Sequence, residues 1–490
     1  MKTNYSHPEG MTYSRQEILS DTAQCLTSGG DARIALDAIS GMNQYGCRPF
    51  PDPAMLAYGS STASIISTQG YHHANQLHQR LVAALKTEAA ATIYSHEIKR
   101  LREQLIHLCV VPETTGMIFS ASGTDTHRLV ASYAARGNKL APPRIIMIEA
   151  NETGKGVNAA LKTATHDEQS EVIPIKLRLD NGELRPITAI DEEVEALVTE
   201  AITTNRRVLL IVTDQSKTGL IAPSLSYVLG LHQRFQDKMD VLIDACQFRI
   251  APPTLRAYLE LGFIVALTGS KFLTGPSFSG VILFKSSLSS ELEAAYSTLP
   301  PHSEPVNFGL LLRWKVALQE LKAFRSIPQE YIINFIHDFT AAIHERLQQD
   351  AFFERLPVPT IDRSPLQVDS SWDQLQTIFP FLLYHADTDR APLSAEETLR
   401  VYQQLPISIN DKHDNIPTHY ATIANLRCQT GQPVACGQRN GVAISALRLC
   451  ISTRLIVESS SEESSCQLII NAALSVLDKI TLLIRLLPVE

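Results

Sequence analysis

From about residue 110 to residue 284 the chain alternates two textures of hydrophobic placement. Short, nearly unbroken apolar runs fall at 117–120, 144–148, 172–175, 208–213, 241–243, 263–267 and 280–284, and each reads as a strand. Between many of them lie segments that predict helices, at 125–136, 157–163, 190–203, 224–236 and 254–261. Apolar strands alternating with helices predict an α/β domain, with a mostly parallel central sheet covered by helices on both faces. Ligands of such sheets sit at the carboxyl ends of the strands, so residues that directly follow the strands are where chemistry is expected.

The flanks differ. Residues 75–108 are rich in Ala, Leu, Glu, Gln and Lys and predict strong helix. Before them, 1–75 reads as an irregular N-terminal segment with a helix at 14–27. Loop-rich stretches follow it, at Gly46-Cys47-Arg48-Pro49-Phe50-Pro51 and Ser60-Ser61-Thr62-Ala63-Ser64. Beyond 300, Pro300, Pro301 and Pro305 break the chain, helices are predicted at 308–324 and 328–349, and a mixed α+β region runs to the end. The expected organisation is an N-terminal segment (1–75), a large α/β domain (76–300) and a smaller C-terminal α+β domain (301–490).

Composition narrows the function classes. A chain of 490 residues with 44% hydrophobic and 19% charged residues can bury a large core. Lys and Arg total 43 against 51 Asp and Glu, a net charge of −8, which offers no basic surface for nucleic acid or an anionic membrane. The opening residues lack the apolar core of a signal peptide. No unbroken apolar run reaches the roughly 18 residues of a membrane span, and Arg485 interrupts the last helix, read at 480–487, so a cytoplasmic location is expected. The eight cysteines form no CxxC pair, and His72, His73 and His78 miss the i,i+4 spacing of two ligands on one helix face. Neither a disulfide framework nor a metal site is expected. The acidic run at 458–463 reads as a solvated cap before the last helix.

Candidate chemistry stands at the strand ends. One apolar run ends in Asp244-Ala245-Cys246-Gln247, and the next ends in Thr268-Gly269-Ser270-Lys271. A carboxylate and a lysine so placed suit pyridoxal 5'-phosphate (PLP). Asp244 would keep the pyridine nitrogen protonated, Lys271 would form the Schiff base, and Gln247 would donate to the phenolic oxygen. The phosphate needs donors, and Ser122-Gly123-Thr124 is a small-residue turn between a strand and a helix, with Thr268 and Ser270 adding hydroxyls. Taken singly, these residues also read as a capping aspartate, a surface amide, a solvated lysine and a routine helix cap. Their order along the chain is the specific signal.

Over roughly residues 85–460 the chain resembles the aminotransferase class V branch of the fold-type-I PLP enzymes, which includes the cysteine desulfurases. Ser122-Gly123-Thr124 is similar to the family's phosphate turn, Asp244-Ala245-Cys246-Gln247 to its D-x-x-Q element, and Thr268-Gly269-Ser270-Lys271 to its S/T-x-x-K element. The segment from Asp214 to Pro223 resembles the S-N-x-T-G-x-x-x-P turn, with Ser216 where asparagine is usual. Ala446-Leu447-Arg448-Leu449-Cys450 resembles the strand whose arginine clamps the substrate carboxylate, with Arg454 as a rival and a structural ion pair as the bland alternative.

The resemblance implies an amino-acid substrate, an external aldimine, a Cα carbanion and a homodimer. It also shows departures. The family's stacking histidine is missing from Glu149-Ala150-Asn151-Glu152-Thr153-Gly154, where Asn151 or Thr153 would face the ring, and Ser270 replaces a histidine common in desulfurases. Cys436, in a stretch at 430–438 that reads as a loop, is the candidate nucleophile of a desulfurase, against a structural thiol. The leading expectation is transamination or a related amino-acid transformation. The alternatives are C–S or Cβ lyase (cysteine desulfurase-like) activity and a non-catalytic PLP-binding protein.

Overall fold

The computed structural model describes residues 21–30, 32–59, 64–136, 142–164, 171–299, 306–385, 390–409 and 420–487. The helix expected at 14–27 is seen as Thr22–Leu26, with 14–20 outside the described residues. Ser60–Ala63 and the prolines at 300, 301 and 305 also lie outside them.

The strands, in chain order, are β1 (Met55–Tyr58), β2 (Gly116–Ser120), β3 (Arg144–Ile148), β4 (Glu171–Ile175), β5 (Val208–Asp214), β6 (Ile221–Ala222), β7 (Met239–Asp244), β8 (Ile264–Thr268), β9 (Gly280–Phe284), β10 (Phe353–Arg355), β11 (Ile378–Leu383), β12 (Arg427–Arg439) and β13 (Val442–Cys450). They form two sheets. The larger has the order β2-β9-β8-β7-β5-β3-β4, with β6 beside β5. Strands β8, β7, β5, β3 and β4 pair in parallel, whereas β9 runs against both of its neighbours. The expected α/β architecture is present, and each predicted strand lies within a residue or two of an observed one.

Alternation explains why both faces are covered. Along β5, Leu209 and Ile211 join one core cluster, while Val208, Leu210 and Val212 join the other. In β3, Ile145 and Met147 likewise face one cluster and Ile146 and Ile148 the opposite one. A strand buried on both sides has no polar face, which is why these runs are apolar without a break.

The helical stretch expected at 75–108 is two helices, Thr68–Ala84 and Ala90–Cys109. Both pack against the helix Phe308–Arg325, whose Trp314 lies edge-on to Phe119 and donates to Gly280 O at 3.2 Å. That helix therefore sits on the large sheet.

The second sheet has the order β1-β12-β13-β11-β10. Its edge strand β1 comes from the N-terminal segment and pairs in parallel with β12, from Met55↔Arg427 to Tyr58↔Thr430. The ion pair Asp52–Arg427 braces the same edge. The segment then reaches the large sheet, where Ser64 Oγ donates to Ser270 O at 2.7 Å, next to Lys271. The last helix is longer than expected, Ser465–Arg485, and is apolar and long enough to cross a membrane by length and composition alone. It packs against the helix Gln329–Gln349 and holds the buried Lys479, whose Nζ donates to the carbonyls of Leu405 (3.1 Å), Ile407 (2.6 Å) and Leu426.

Candidate active site

The carboxyl ends of β2, β5, β7 and β8 bring the predicted residues to one region. Asp244 is the last residue of β7 and is buried. Register pairs it with Thr213 of β5 on one side and Ala266 of β8 on the other. Its Oδ1 accepts from the Cys246 amide at 3.2 Å, and its Oδ2 lies 3.2 Å from Nε2 of His127. His127 is buried on the helix Gly123–Arg136, and its Nδ1 is 2.7 Å from Gly123 O. With Nδ1 on a carbonyl and Nε2 3.2 Å from a carboxylate, though outside hydrogen-bond geometry to it, the surroundings favour the ring with both nitrogens protonated.

The electrostatics agree. Burial works against a charged His127, but the Asp244 charge and the two contacts outweigh it and raise its pKa. Burial likewise pushes the Asp244 carboxyl up, but His127 and then Lys271 outweigh it and hold the group well below the usual carboxylate range. Asp244 is thus ionised, and Lys271 is within electrostatic reach of it. Cys246 converges with His127 and Asp244 to within 4.8 Å, but burial drives its thiol far up, which does not suit a metal-binding thiolate.

Lys271 follows β8 and is half-buried. Two tight turns shape the strand ends. Phe248 N bonds to Ala245 O at 2.7 Å and Thr274 N to Lys271 O at 2.9 Å, and both Phe248 and Thr274 take left-handed backbone (φ 59° and 55°). Such backbone in non-glycine residues costs on the order of 1–3 kcal/mol and concentrates at functional sites. Gln247 is buried, which removes its reading as a surface amide. Thr268 Oγ1 donates to Cys246 O at 2.6 Å and so ties the two strand ends together, and Ser270 is buried beside them.

The turn after β2 opens the helix Gly123–Arg136 as expected. Ser122 Oγ accepts from the Asp125 amide at 3.2 Å and donates to Asp125 Oδ2 at 2.8 Å, so it is a helix cap whose hydroxyl proton is already engaged. Gly123 keeps a space open: a Cβ there would stand 3.0 Å from Thr268 Cγ2 and 3.1 Å from Cys246 Sγ. Thr124 is half-buried beside Gly156.

Ser216 is buried in a network of its own. Its hydroxyl donates to Glu152 Oε2 at 2.8 Å and accepts from the amides of Thr218 and Leu220 at 3.2 Å. Glu152 also accepts from Arg178 Nε at 3.2 Å and from Thr218 Oγ1 at 2.8 Å. Where the stacking histidine was missing, Glu152 is thus a buried structural carboxylate and Asn151 is exposed. The Thr153 hydroxyl donates to Glu149 O at 3.0 Å.

Arg448 is buried in β13. Nη1 donates to Lys217 O at 3.0 Å, Nη2 donates to Gln432 O at 2.9 Å, and Nε has no partner. Among the described residues no carboxylate lies within 4.0 Å, so the structural ion pair does not form. Its rival Arg454 is engaged with Glu320, Ile65 O and Thr274 O. Gly431 makes room for the guanidinium, because a Cβ there would come within 2.8 Å of Arg448 Cζ.

Cys436 corrects the expectation of a catalytic loop. The stretch 430–438 is part of β12, which pairs with β13 through two irregularities, and Cys436 is buried with its Sγ on Val434 O at 3.2 Å. Burial raises the thiol to about 11, so it is no nucleophile at neutral pH.

Three residues escaped the sequence reading. His127 had a usable signal, one turn past Gly123 on the buried face of its helix. Gln215 directly follows β5, is buried, and neither amide atom has a partner. Arg249 is fully buried, lies over the Phe272 ring at 4.8 Å, donates to Thr377 Oγ1 and Ile451 O, and keeps Nε and Nη2 without partners. These open groups, the space kept by Gly123, the ionised Asp244 and the neighbouring lysine fit the demands of PLP.

No protein-family model and no curated protein matches the chain. Solved structures do. A NifS-like protein aligns with a TM-score of 0.50 at 13% identity, over 86% of this chain and 99% of that one. The glutamate decarboxylase domain of a diaminobutyrate-pyruvate transaminase and L-2,4-diaminobutyrate decarboxylase from Vibrio parahaemolyticus aligns with a TM-score of 0.54 at 12% identity, over 89% and 81%. At such identities the likeness is one of fold. The fold is that of the fold-type-I PLP-dependent enzymes.

Proposed function

We propose that this protein is a PLP-dependent enzyme acting on an amino acid, an aminotransferase class V-like catalyst of transamination or a related transformation at Cα. The observation that carries the reading is the buried Asp244 carboxylate, kept ionised by His127 and facing the region of Lys271. PLP, when bound, supplies an aldehyde for an amine and a ring that accepts electrons from the substrate's Cα.

The chain's own groups do the rest. Asp244 would hold the proton on the ring nitrogen, with His127 3.2 Å behind it. Lys271 Nζ would hold the cofactor and, once free, would be the base that takes the proton from the substrate's Cα. The amides of Gly123 and Thr124 at the helix start, with Ser270, would hold the phosphate, Thr268 ties the neighbouring strand ends together, and the Gln215 and Gln247 amides would serve the ring oxygen. Arg448 orients the substrate through its α-carboxylate. The buried thiol of Cys436 disfavours a desulfurase. A homodimer belongs to the same proposal.

Borohydride reduction of the purified protein, followed by peptide mapping, tests the assignment. The label is expected on Lys271; a label elsewhere, or one that survives in Lys271→Ala, overturns it. An amino-acid panel scored separately for keto acid, sulfide and carbon dioxide then distinguishes transamination from elimination and decarboxylation.

A further inference from the structure

We propose that the substrate carries a second anionic group and that Lys217 receives it; this rests on the reading of the site as one for an amino acid. The starting observation is a pair of neighbouring cations without an anion. Lys217 lies in the turn after β5, where three segments meet. Its Nζ donates to Ala150 O at 3.1 Å and Asn151 O at 2.9 Å, after β3. Its amide donates to Glu152 O at 2.8 Å, and its carbonyl accepts from Arg448 Nη1 of β13 at 3.0 Å.

An ammonium has three N–H donors, and two carbonyls account for two of them. Arg448 retains Nε without a partner. Among the described residues no carboxylate lies within 4.0 Å of either cation. The acid of this neighbourhood, Glu152, is matched by Arg178, Ser216 and Thr218. The other charges bearing on Lys217 are Lys271, after β8, and Lys155, after β3, both positive. Burial, with Arg448 and Lys271 close by, pulls the Lys217 ammonium down to about 7.

The contrast with Lys479 is instructive. That buried lysine has three carbonyls for its three donors, and the cation bearing on it is Arg427. It is complete without a ligand, and Lys217 is not. One substrate carboxylate on Arg448 leaves the Lys217 charge uncompensated, and a second anion on the same molecule compensates it. An amino acid with an acidic side chain has that form. Lys217 is half-buried, and a charge drawn partly out of water is stabilised by an opposite one.

Simple acids test this without the cofactor's chemistry. Calorimetric titration of the purified full-length protein with succinate and with butyrate should show succinate binding at least about tenfold tighter, a preference of roughly 1.4 kcal/mol. At pH 8 succinate binding should take up protons, because the anion raises the depressed Lys217 pKa. Lys217→Gln and the stem-preserving Lys217→Met should each abolish both the preference and the proton uptake while butyrate still binds. Equal binding of the two acids, or a preference that survives both substitutions, overturns the proposal. Succinate selectivity in a protein that never forms a borohydride-sensitive adduct would refute the cofactor reading and keep the second-anion site; the reverse result would do the opposite.

Discussion

Asp214 and Gln215 are neighbours at the end of β5, both are buried, and their surroundings are opposites. Asp214 is enclosed by partners. Tyr258 donates to it at 2.7 Å, and Arg363 reaches both of its oxygens, with Nε at 3.1 Å. Arg363 also serves Asp373 and Arg249 O, and Asp373 in turn caps Ala251 and Thr254. Gln215, one residue on, has no partner for either amide atom, and Arg249 and Arg448 nearby in the fold keep donors unmatched as well. Both arrangements are costly to build. The closed one is complete in the protein alone, whereas the open one makes sense when something else supplies the missing partners. The difference separates what holds the fold from what awaits a ligand.

Substitutions on the two sides should therefore behave differently. The largest effect is expected on the open side: Lys271→Ala should reduce turnover of the amino acid found by the panel by about 10²–10⁴-fold, measured by initial rates, with the unfolding midpoint little changed. On the closed side, Asp214→Ala takes from the buried Arg363 its main anionic partner, leaving only Asp373 at 3.7 Å, and should destabilise the protein by about 3–5 kcal/mol in urea denaturation. A loss below about 1 kcal/mol would mean that the closed network is not holding the fold.

His127 lies between the two behaviours, since it is buried structure that serves the site. Its folded pKa is raised, so its contribution is fully present below the ordinary imidazole value of 6.5 and fades as pH rises through the folded value. Asp244 is depressed, so its contribution holds above the ordinary carboxylate value of 3.8 and fades as pH falls through the folded value. The stability gap between wild type and His127→Asn should thus be widest between those limits, about 1–3 kcal/mol, and close at alkaline pH. A gap independent of pH would show that the ring is not charged.

The smallest effect sharpens the comparison most. Gln215→Leu removes two unmatched polar atoms and should leave the cofactor-free protein within about 1 kcal/mol of wild type, or more stable. The same change should weaken PLP retention by about tenfold, read by dialysis. Stability lost without any change in retention would place Gln215 with Asp214.

Much of this was legible in the chain. The strands of the large sheet are apolar on both faces, so their runs are unbroken, and Asp244, Gln247, Lys271 and the Ser122–Thr124 turn stand directly at strand ends. Arg448 sat in a recognisable strand. Other features were hidden for physical reasons. β12 contains Gly431, Pro433 and Gly437, residues depleted in strands, and its irregular pairing with β13 weakens the alternation, so it read as a loop. β1 depends on a partner far along the chain and has no periodicity of its own. That Gln215 lacks partners, or that Lys217 and Arg448 meet no carboxylate among the described residues, is a property of the assembled neighbourhood and of no local motif.

The edge pairing of β1 with β12 also sets an order of events. Asp52 and Arg427, which brace that edge, are 375 positions apart. During synthesis the large sheet can assemble as its strands emerge, but β1 has no parallel neighbour until most of the chain has left the ribosome. The segment whose Ser64 bonds Ser270 O, next to Lys271, is thus made long before the β12 strand that its edge joins. A nascent chain stopped before β12 would carry Asp244 and Lys271 while still lacking the partner of β1 and the strand that bears Arg448.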